Sequence, residues 1–205
     1  NRASSRTQSA LLEAMEESSV TVDGTTYMLP KPFIVFATQN PTGASGTSLL
    51  PDSQIDRFMV RISIGYPSAK DEKAMLERRR NGVNPMESVA PICDVNMLQK
   101  MQAEVNNVFV HEKVVDYIIA LINSTRGHGD LMRGASPRAT IALTAMAKSH
   151  AYLSGRNYVV PQDVQRVFLP VITHRLILTP EAEVNGRKTS DIAKEILESA
   201  FVPKV

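Results

Sequence analysis

The 205-residue chain holds one cysteine, Cys93, and no tryptophan. A single thiol excludes an internal disulfide and fits a reducing compartment, so a cytoplasmic location is expected. No apolar run approaches the roughly 18 residues a membrane span needs. The longest candidate, Val114 to Ile122, is broken by Asp116 and Tyr117. Charge of one sign is also lacking: 23 Lys+Arg against 21 Asp+Glu leave +2, too little to argue for nucleic acid or an anionic membrane. His111, His128, His150 and His174 form no ligand pair at helical spacing, and Cys93 has no partner, so no metal site is expected. Neither a Gly-x-Ser-x-Gly elbow nor a Gly-x-x-x-x-Gly-Lys-[Ser/Thr] phosphate loop occurs. The chain opens Asn1-Arg2-Ala3 with no initiator Met and no leader pattern. We therefore expect a portion of a longer protein.

What remains is 43% hydrophobic and 21% charged, the balance of a soluble globular chain with one large domain or two small ones. Ser5-Arg6-Thr7-Gln8 reads as a capping box opening a helix with Leu11, Ala14 and Met15 on one side. Val20-Thr21-Val22 and Thr25 to Leu29 flank Asp23-Gly24, a two-residue hairpin signal of type I′. Phe33 to Ala37 is a continuous apolar run, the pattern of a strand buried on both faces. Met59 to Ile64 alternates as a second strand, and a charged helix runs from Ala69 to about Arg80. After about Pro91 only helices are expected. Asp94 caps one through Asn107, and His111 to Ser124 carries the stripe Val114, Val115, Ile118, Leu121 and Ile122. Ser136-Pro137 opens a third that stops near Ser154-Gly155. Pro161-Gln162-Asp163 opens a fourth, and Thr189 to Ala200 forms a fifth. The pattern predicts an α/β piece over 1–91 followed by an all-α domain over 92–205.

Three polar features resist a packing explanation. Phe33 to Ala37 ends in Thr38-Gln39-Asn40, polar groups at the strand end where open α/β sheets bind ligands; a turn before Pro41 is the alternative. Asp56-Arg57 just before a strand is either a local ion pair or a guanidinium presented to an outside anion. Arg138 sits in the first turn of a helix, where the macrodipole disfavours a cation. An anion resolves that conflict, because helix N-termini and Arg both bind phosphates; solvation or a nearby acid is the alternative. Thr42-Gly43-Ala44-Ser45-Gly46-Thr47-Ser48 places Thr47 where a phosphate loop has Lys, so it reads as a loop only.

At these places the sequence resembles the MoxR family of AAA+ ATPases, in order and over essentially the whole chain. Asn1-Arg2-Ala3 is similar to the residues directly after the family's Walker B acids. Thr7 to Glu17 resembles its next helix, and Val20-Thr21-Val22-Asp23-Gly24 its hairpin before sensor 1. Ala37-Thr38-Gln39-Asn40-Pro41 resembles the sensor 1 strand end. Gly46-Thr47, Leu50-Pro51 and Gln54-Ile55-Asp56-Arg57-Phe58 follow at the family's spacing. Gly134-Ala135-Ser136-Pro137-Arg138-Ala139 resembles sensor 2, and Gly155 to Val159, Asp163-Val164 and His174-Arg175-Leu176 resemble the lid.

The resemblance implies the C-terminal part of an AAA+ P-loop core, residues 1–91, plus a helical lid, residues 92–205. It implies that Asn40 is sensor 1, contacting the γ-phosphate or attacking water, and that Arg57 is an arginine finger acting on the neighbouring subunit. It implies that Arg138 is sensor 2, also contacting nucleotide, in cis or in trans. The parent protein is then expected to use ATP and Mg2+ in a ring, a hexamer in the family's pattern, and to remodel or mature partner proteins as a chaperone. Metal or cofactor insertion into client enzyme complexes, and von Willebrand factor A-domain partners, are part of that implication. Lacking the phosphate loop and the Walker B acids, the 205 residues alone are expected neither to hydrolyse ATP nor to bind it tightly. The alternatives are a magnesium-chelatase-type motor subunit and a nucleic-acid remodeller. The second is disfavoured because the hairpin carries Asp23 and its nearest cation is Lys31.

Overall fold

In a computed structural model of the chain, residues 5–39, 50–82 and 84–204 are described. Asn40, the Thr42 to Ser48 loop with Gly46-Thr47, and Asn1-Arg2-Ala3 lie outside them, as do the side chains of the Ser5, Arg6 and Gln8 capping box. Helix α1 spans Ser5–Glu17 and leads into the antiparallel ribbon β1 (Ser19–Val22) and β2 (Thr25–Met28). Their register pairs Val22 with Thr25 and Ser19 with Met28. Asp23 and Gly24 both have positive φ, 50° and 78°, the backbone a type I′ turn requires.

Phe33 to Ala37 and Met59 to Ile64 belong to no helix and to no sheet among the described residues. A strand is completed by its ladder neighbours, and the inward pattern of these two segments meets none. Phe36 is 91% exposed and Ile64 96%. Short helix α2 (Asp52–Ile55) precedes the second segment, and α3 (Ala69–Arg80) follows it. Ser68 caps α3 through a reciprocal box with Asp71, and Arg78, Arg79 and Arg80 sit at the end where the dipole favours cations.

The second half is built from α4 (Val95–Asn106), α5 (Glu112–Arg126), α6 (Pro137–Leu153), α7 (Pro161–Ile172), α8 (Pro180–Val184) and α9 (Thr189–Ser199). Asp94 caps α4 by accepting from the Met97 amide at 2.7 Å, and Gly155 follows α6 with φ 76°. Helix α6 presents Ala139, Leu143, Ala147 and Ala151 inward. The three alanines on that face allow α7 to approach closely with Val164, Val167, Phe168 and Val171. Helix α5 adds Val114, Ile118, Leu121 and Ile122, and α9 adds Ile192, Ala193 and Ile196, to one continuous core. The α5 stripe is rotated from the expected one: Tyr117 is buried, and Val115 is 38% exposed.

The helices are supplemented by an antiparallel pair, β3 (Leu131–Arg133) with β4 (Ile177–Leu178), and a parallel bridge between Phe109 and Tyr158. Runs this short carry no readable period. A 3-10 turn, Thr173–Arg175, links α7 to β4. No described helix is long and apolar enough to cross a membrane.

Candidate functional site

Four distant segments meet in one cleft: the end of α1, the turn after α2, the start of α6, and the 3-10 turn after α7. They bring Met15, Glu16, Asp56, Arg57, Arg138 and Arg175 to its wall. Arg57 and Arg138, chosen from sequence, are therefore neighbours. The link is Glu16: its Oε1 accepts from Arg138 Nη2 at 2.6 Å, and its Oε2 pairs with Arg57 Nη1. All three side chains remain partly open to solvent.

Asp56 does not pair with its neighbour Arg57, as a local ion pair would require. Its Oδ1 accepts from Arg175 Nε at 3.0 Å, and its Oδ2 from the Ser136 hydroxyl at 2.9 Å. Ser136 thus stands at the N-cap position of α6 without capping it, since its hydroxyl is used across the cleft. Arg138 answers its unfavourable place in the first turn with a carboxylate, Glu16, and approaches Asp56 to 4.0 Å. Within this group three guanidiniums face two carboxylates. With Arg175 and Asp56 paired, the open part holds two arginines against Glu16. That excess of positive charge suits an anion with several oxygens, such as a phosphate.

Beneath the cleft, His174 Nε2 lies 3.1 Å from the Phe58 carbonyl, so Nε2 carries the proton and donates. Its Nδ1 is buried without a hydrogen-bond partner. Burial first, then the Arg175 charge, pushes its pKa down to about 4. Burial likewise lowers the Arg175 pKa, although Asp56 opposes the shift. A separate cluster ties α6 to α7. Burial alone would raise the Asp163 pKa, but hydrogen bonds from Arg156, the Val160 amide and His150 hold it below the ordinary carboxylate value. This cluster fixes the helix packing and shares no residue with the cleft.

The described residues contain no group of three or more His, Cys, Asp or Glu side chains suited to a metal ion. Two convergent guanidiniums fit the phosphate end of a nucleotide, and the described residues supply no ligand set for magnesium. Of the predicted site residues, Arg57 and Arg138 are brought together, and Asn40 falls outside the described residues. Glu16, Ser136 and Arg175 were not singled out from sequence. Arg175 did leave a signal, a His-Arg pair inside the apolar run Val167 to Leu178. Glu16 left none, being one of three acids near the end of α1.

An α/β segment feeding a helical lid, with arginines from both halves facing one cleft, is the arrangement of an AAA-type ATPase core and lid. Comparison with known proteins agrees. The model of the "ATPase family associated with various cellular activities (AAA)" matches residues 1–60, and that of the "AAA lid domain" matches residues 123–196. The chain is 38% identical over 214 residues to chaperone MoxR1 of Mycobacterium tuberculosis, covering all of this chain and 56% of that protein. It is 42% identical over 203 residues to the uncharacterized protein YeaC of Bacillus subtilis, covering 99% and 63%. A crystal structure from Cytophaga hutchinsonii, named only provisionally as an ATPase, superposes with a TM-score of 0.92 at 38% identity. It is matched over 100% of this chain and 64% of its own. Over its whole length the chain is similar to AAA+ ATPases of the MoxR type. It spans about 56–64% of the length of these relatives. A full-length MCM homolog from Methanopyrus kandleri, at TM-score 0.52 and 19% identity, shares the fold alone.

Proposed function

We propose that this chain supplies the sensor and finger side of a ring-forming, magnesium-dependent ATPase that remodels or matures partner proteins in the cytoplasm. The observation that carries the reading is the convergence of Arg57 and Arg138 on the single carboxylate of Glu16. Two guanidiniums that share one anion in the isolated chain are placed to share another when a phosphate is presented. Arg57 is the arginine finger and Arg138 is sensor 2. Because they share a target, Arg138 acts across the same subunit boundary as Arg57. Asn40 serves as sensor 1 at a different nucleotide, the subunit's own.

ATP and Mg2+ supply the phosphoryl group and its charge neutralisation when bound. The contribution of these residues is to hold positive charge where negative charge grows on the transferring group, in a cleft with Met15, Met59 and Ile141 on its wall. The phosphate loop and the Walker B acids are not among the 205 residues, which alone neither hydrolyse ATP nor bind it at micromolar levels. Calorimetry that detects micromolar ATP binding to this chain overturns that statement.

The relative named chaperone MoxR1 supports a chaperone role. The hexameric ring, metal or cofactor insertion into enzyme complexes and von Willebrand factor A-domain partners are the part of this proposal that rests on the family resemblance of the sequence alone. The β1–β2 ribbon supports protein rather than nucleic-acid contacts: it exposes Val22, Tyr27 and Met28, where phosphate binding calls for cations. The test is Arg57→Ala in the full-length protein. Turnover should fall by about 10³-fold or more, the range set by arginine fingers, with nucleotide affinity nearly unchanged. Turnover at the wild-type rate rejects the finger assignment.

A further inference from the structure

The turn that bears Arg57 is fastened from behind. Arg175 is 5% exposed, and its guanidinium spends its donors on that turn. Nε donates to Asp56 Oδ1 at 3.0 Å, and Nη2 to the carbonyls of Asp56 at 3.1 Å and Phe58 at 2.7 Å. Nη1 donates to the Met59 carbonyl at 3.2 Å and to the Val171 carbonyl on α7. The backbone on both sides of Arg57 is therefore held by one side chain of the lid. His174 adds its Nε2 bond to Phe58, and the Arg61 amide donates to the Pro170 carbonyl at 2.9 Å. That carbonyl lies in the last turn of α7, where helix carbonyls need outside donors. Asp56 then passes the connection on, because its second oxygen accepts from Ser136, the residue two before Arg138.

A buried ion pair is a poor way to gain stability. Desolvating the charges costs several kcal/mol per ion, and a well-packed apolar pair often serves as well. What Arg175 provides that an apolar residue cannot is directional bonding to five oxygens in a fixed fork. Arg57 itself has little else to fix it: its Nε is buried without a partner, and its terminal nitrogen meets only Glu16 among the contacts described.

We propose that Arg175 is a positioning residue which, through Asp56, holds Arg57 and Arg138 as one unit whose place is set by the lid. This rests on the reading of Arg57 as the finger. Rotation of the lid then carries both guanidiniums together toward or away from a neighbouring phosphate, so lid position and phosphate contact are one movement.

The test is a mutant cycle on steady-state ATP turnover of the full-length protein, using Arg175→Lys, Arg57→Ala and the double variant. Lys keeps the charge and loses the fork. Arg175→Lys should lower kcat by about tenfold or more while KM and nucleotide affinity stay within about threefold, the signature of an interaction made in the transition state. On the Arg57→Ala background, Arg175→Lys should cost far less than it does in the wild type, since most of its effect runs through Arg57 and only the part transmitted to Arg138 remains. A merely structural role predicts the full Arg175→Lys loss again on that background, together with weakened nucleotide binding. Asp56→Ala, at the more exposed end of the pair, replaces Arg175→Lys in the same cycle should the latter fail to fold. Wild-type kcat in the lysine variant, or in Asp56→Ala where that takes its place, or multiplicative losses in the double variant, overturns the proposal. Wild-type kcat in Arg57→Ala instead overturns the finger reading, and the two failures are read from different variants.

Discussion

Glu16 occupies, in this chain, the place of the anion that Arg57 and Arg138 are proposed to meet. A carboxylate so placed both draws the guanidiniums together and competes with any incoming phosphate. Glu16→Gln keeps the size and removes the charge. The variant chain should bind inorganic pyrophosphate several-fold more tightly than the wild type in low-salt calorimetry, with the difference fading as salt screens it. Equal affinities mean that Glu16 does not compete. His174 gives the second residue-scale expectation. Its pKa is about 4 in the folded chain against 6.5 for an ordinary imidazole. Between those values the unfolded chain binds the extra proton, so stability falls as pH drops from about 6.5 to about 4 and levels off below. The loss attached to this group is roughly 3 kcal/mol across that window. His174→Gln, which can still donate to Phe58 but does not titrate, should flatten that part of the urea-midpoint profile. An unchanged slope assigns the acid sensitivity to other groups. Neither role was legible in the sequence. Glu16 and Arg138 are 122 residues apart, and Asp56 and Arg175 are 119 apart. Residue type flagged the arginines, but only folding shows which carboxylate each one meets.

At the scale of elements, local chemistry was legible wherever a structure is decided within a few residues. Asp94, Ser68, Gly155 and the Asp23-Gly24 turn stand where their side chains or φ values demand. The apolar runs were less informative, because a run states that a segment is buried without stating against what. Phe33 to Ala37 has the composition of a central strand and no ladder among the described residues. Val115 and Tyr117 exchanged roles for a related reason: which side of α5 faces inward depends on where α6 and α9 lie. The approach of the β3–α6 linker to α5 gives a prediction at this scale. A Cβ at Gly134 would stand 2.5 Å from the Thr125 carbonyl oxygen and 2.7 Å from Arg126 Cα, both backbone atoms that cannot swing away. Thr125 is itself locked, donating to the Ile122 carbonyl at 2.6 Å and accepting from the Ala135 amide at 2.9 Å. Gly134→Ala should therefore destabilise the chain by about 1–3 kcal/mol, the cost of forcing atoms into a packed interior. The urea midpoint measures it, and an unshifted midpoint means the linker can leave α5 freely.

Across the whole molecule, burial is distributed unequally, and this bears on how the two halves work. Every member of the continuous apolar core lies between Val108 and Ile196. Among the described residues before Asp94, only Ala14 and Ser19 are buried. The earlier half is instead held by polar links to the lid: Arg175 with Asp56, Ser136 with Asp56, and Glu16 with Arg138. Local opening requires few apolar contacts to be broken there and many in the lid, so the two halves should differ in opening free energy. Native-state hydrogen exchange on the 205-residue chain measures this directly. Amides in α5, α6, α7 and α9 should exchange only at the global unfolding limit, while those of α1, the ribbon and α3 should exchange through easier, local openings. The amide of Arg61, bonded to Pro170, should be protected more strongly than its neighbours along the chain. Apolar side chains left open, Phe36, Ile64 and Tyr66 among them, form surface that a soluble chain ordinarily covers. In the full-length protein, protection over residues 33–39 and 59–66 should rise toward the level of the lid. Uniform protection across both halves of the isolated chain would show that the polar links alone make one cooperative unit, and that the finger turn needs no further partner to be held in place.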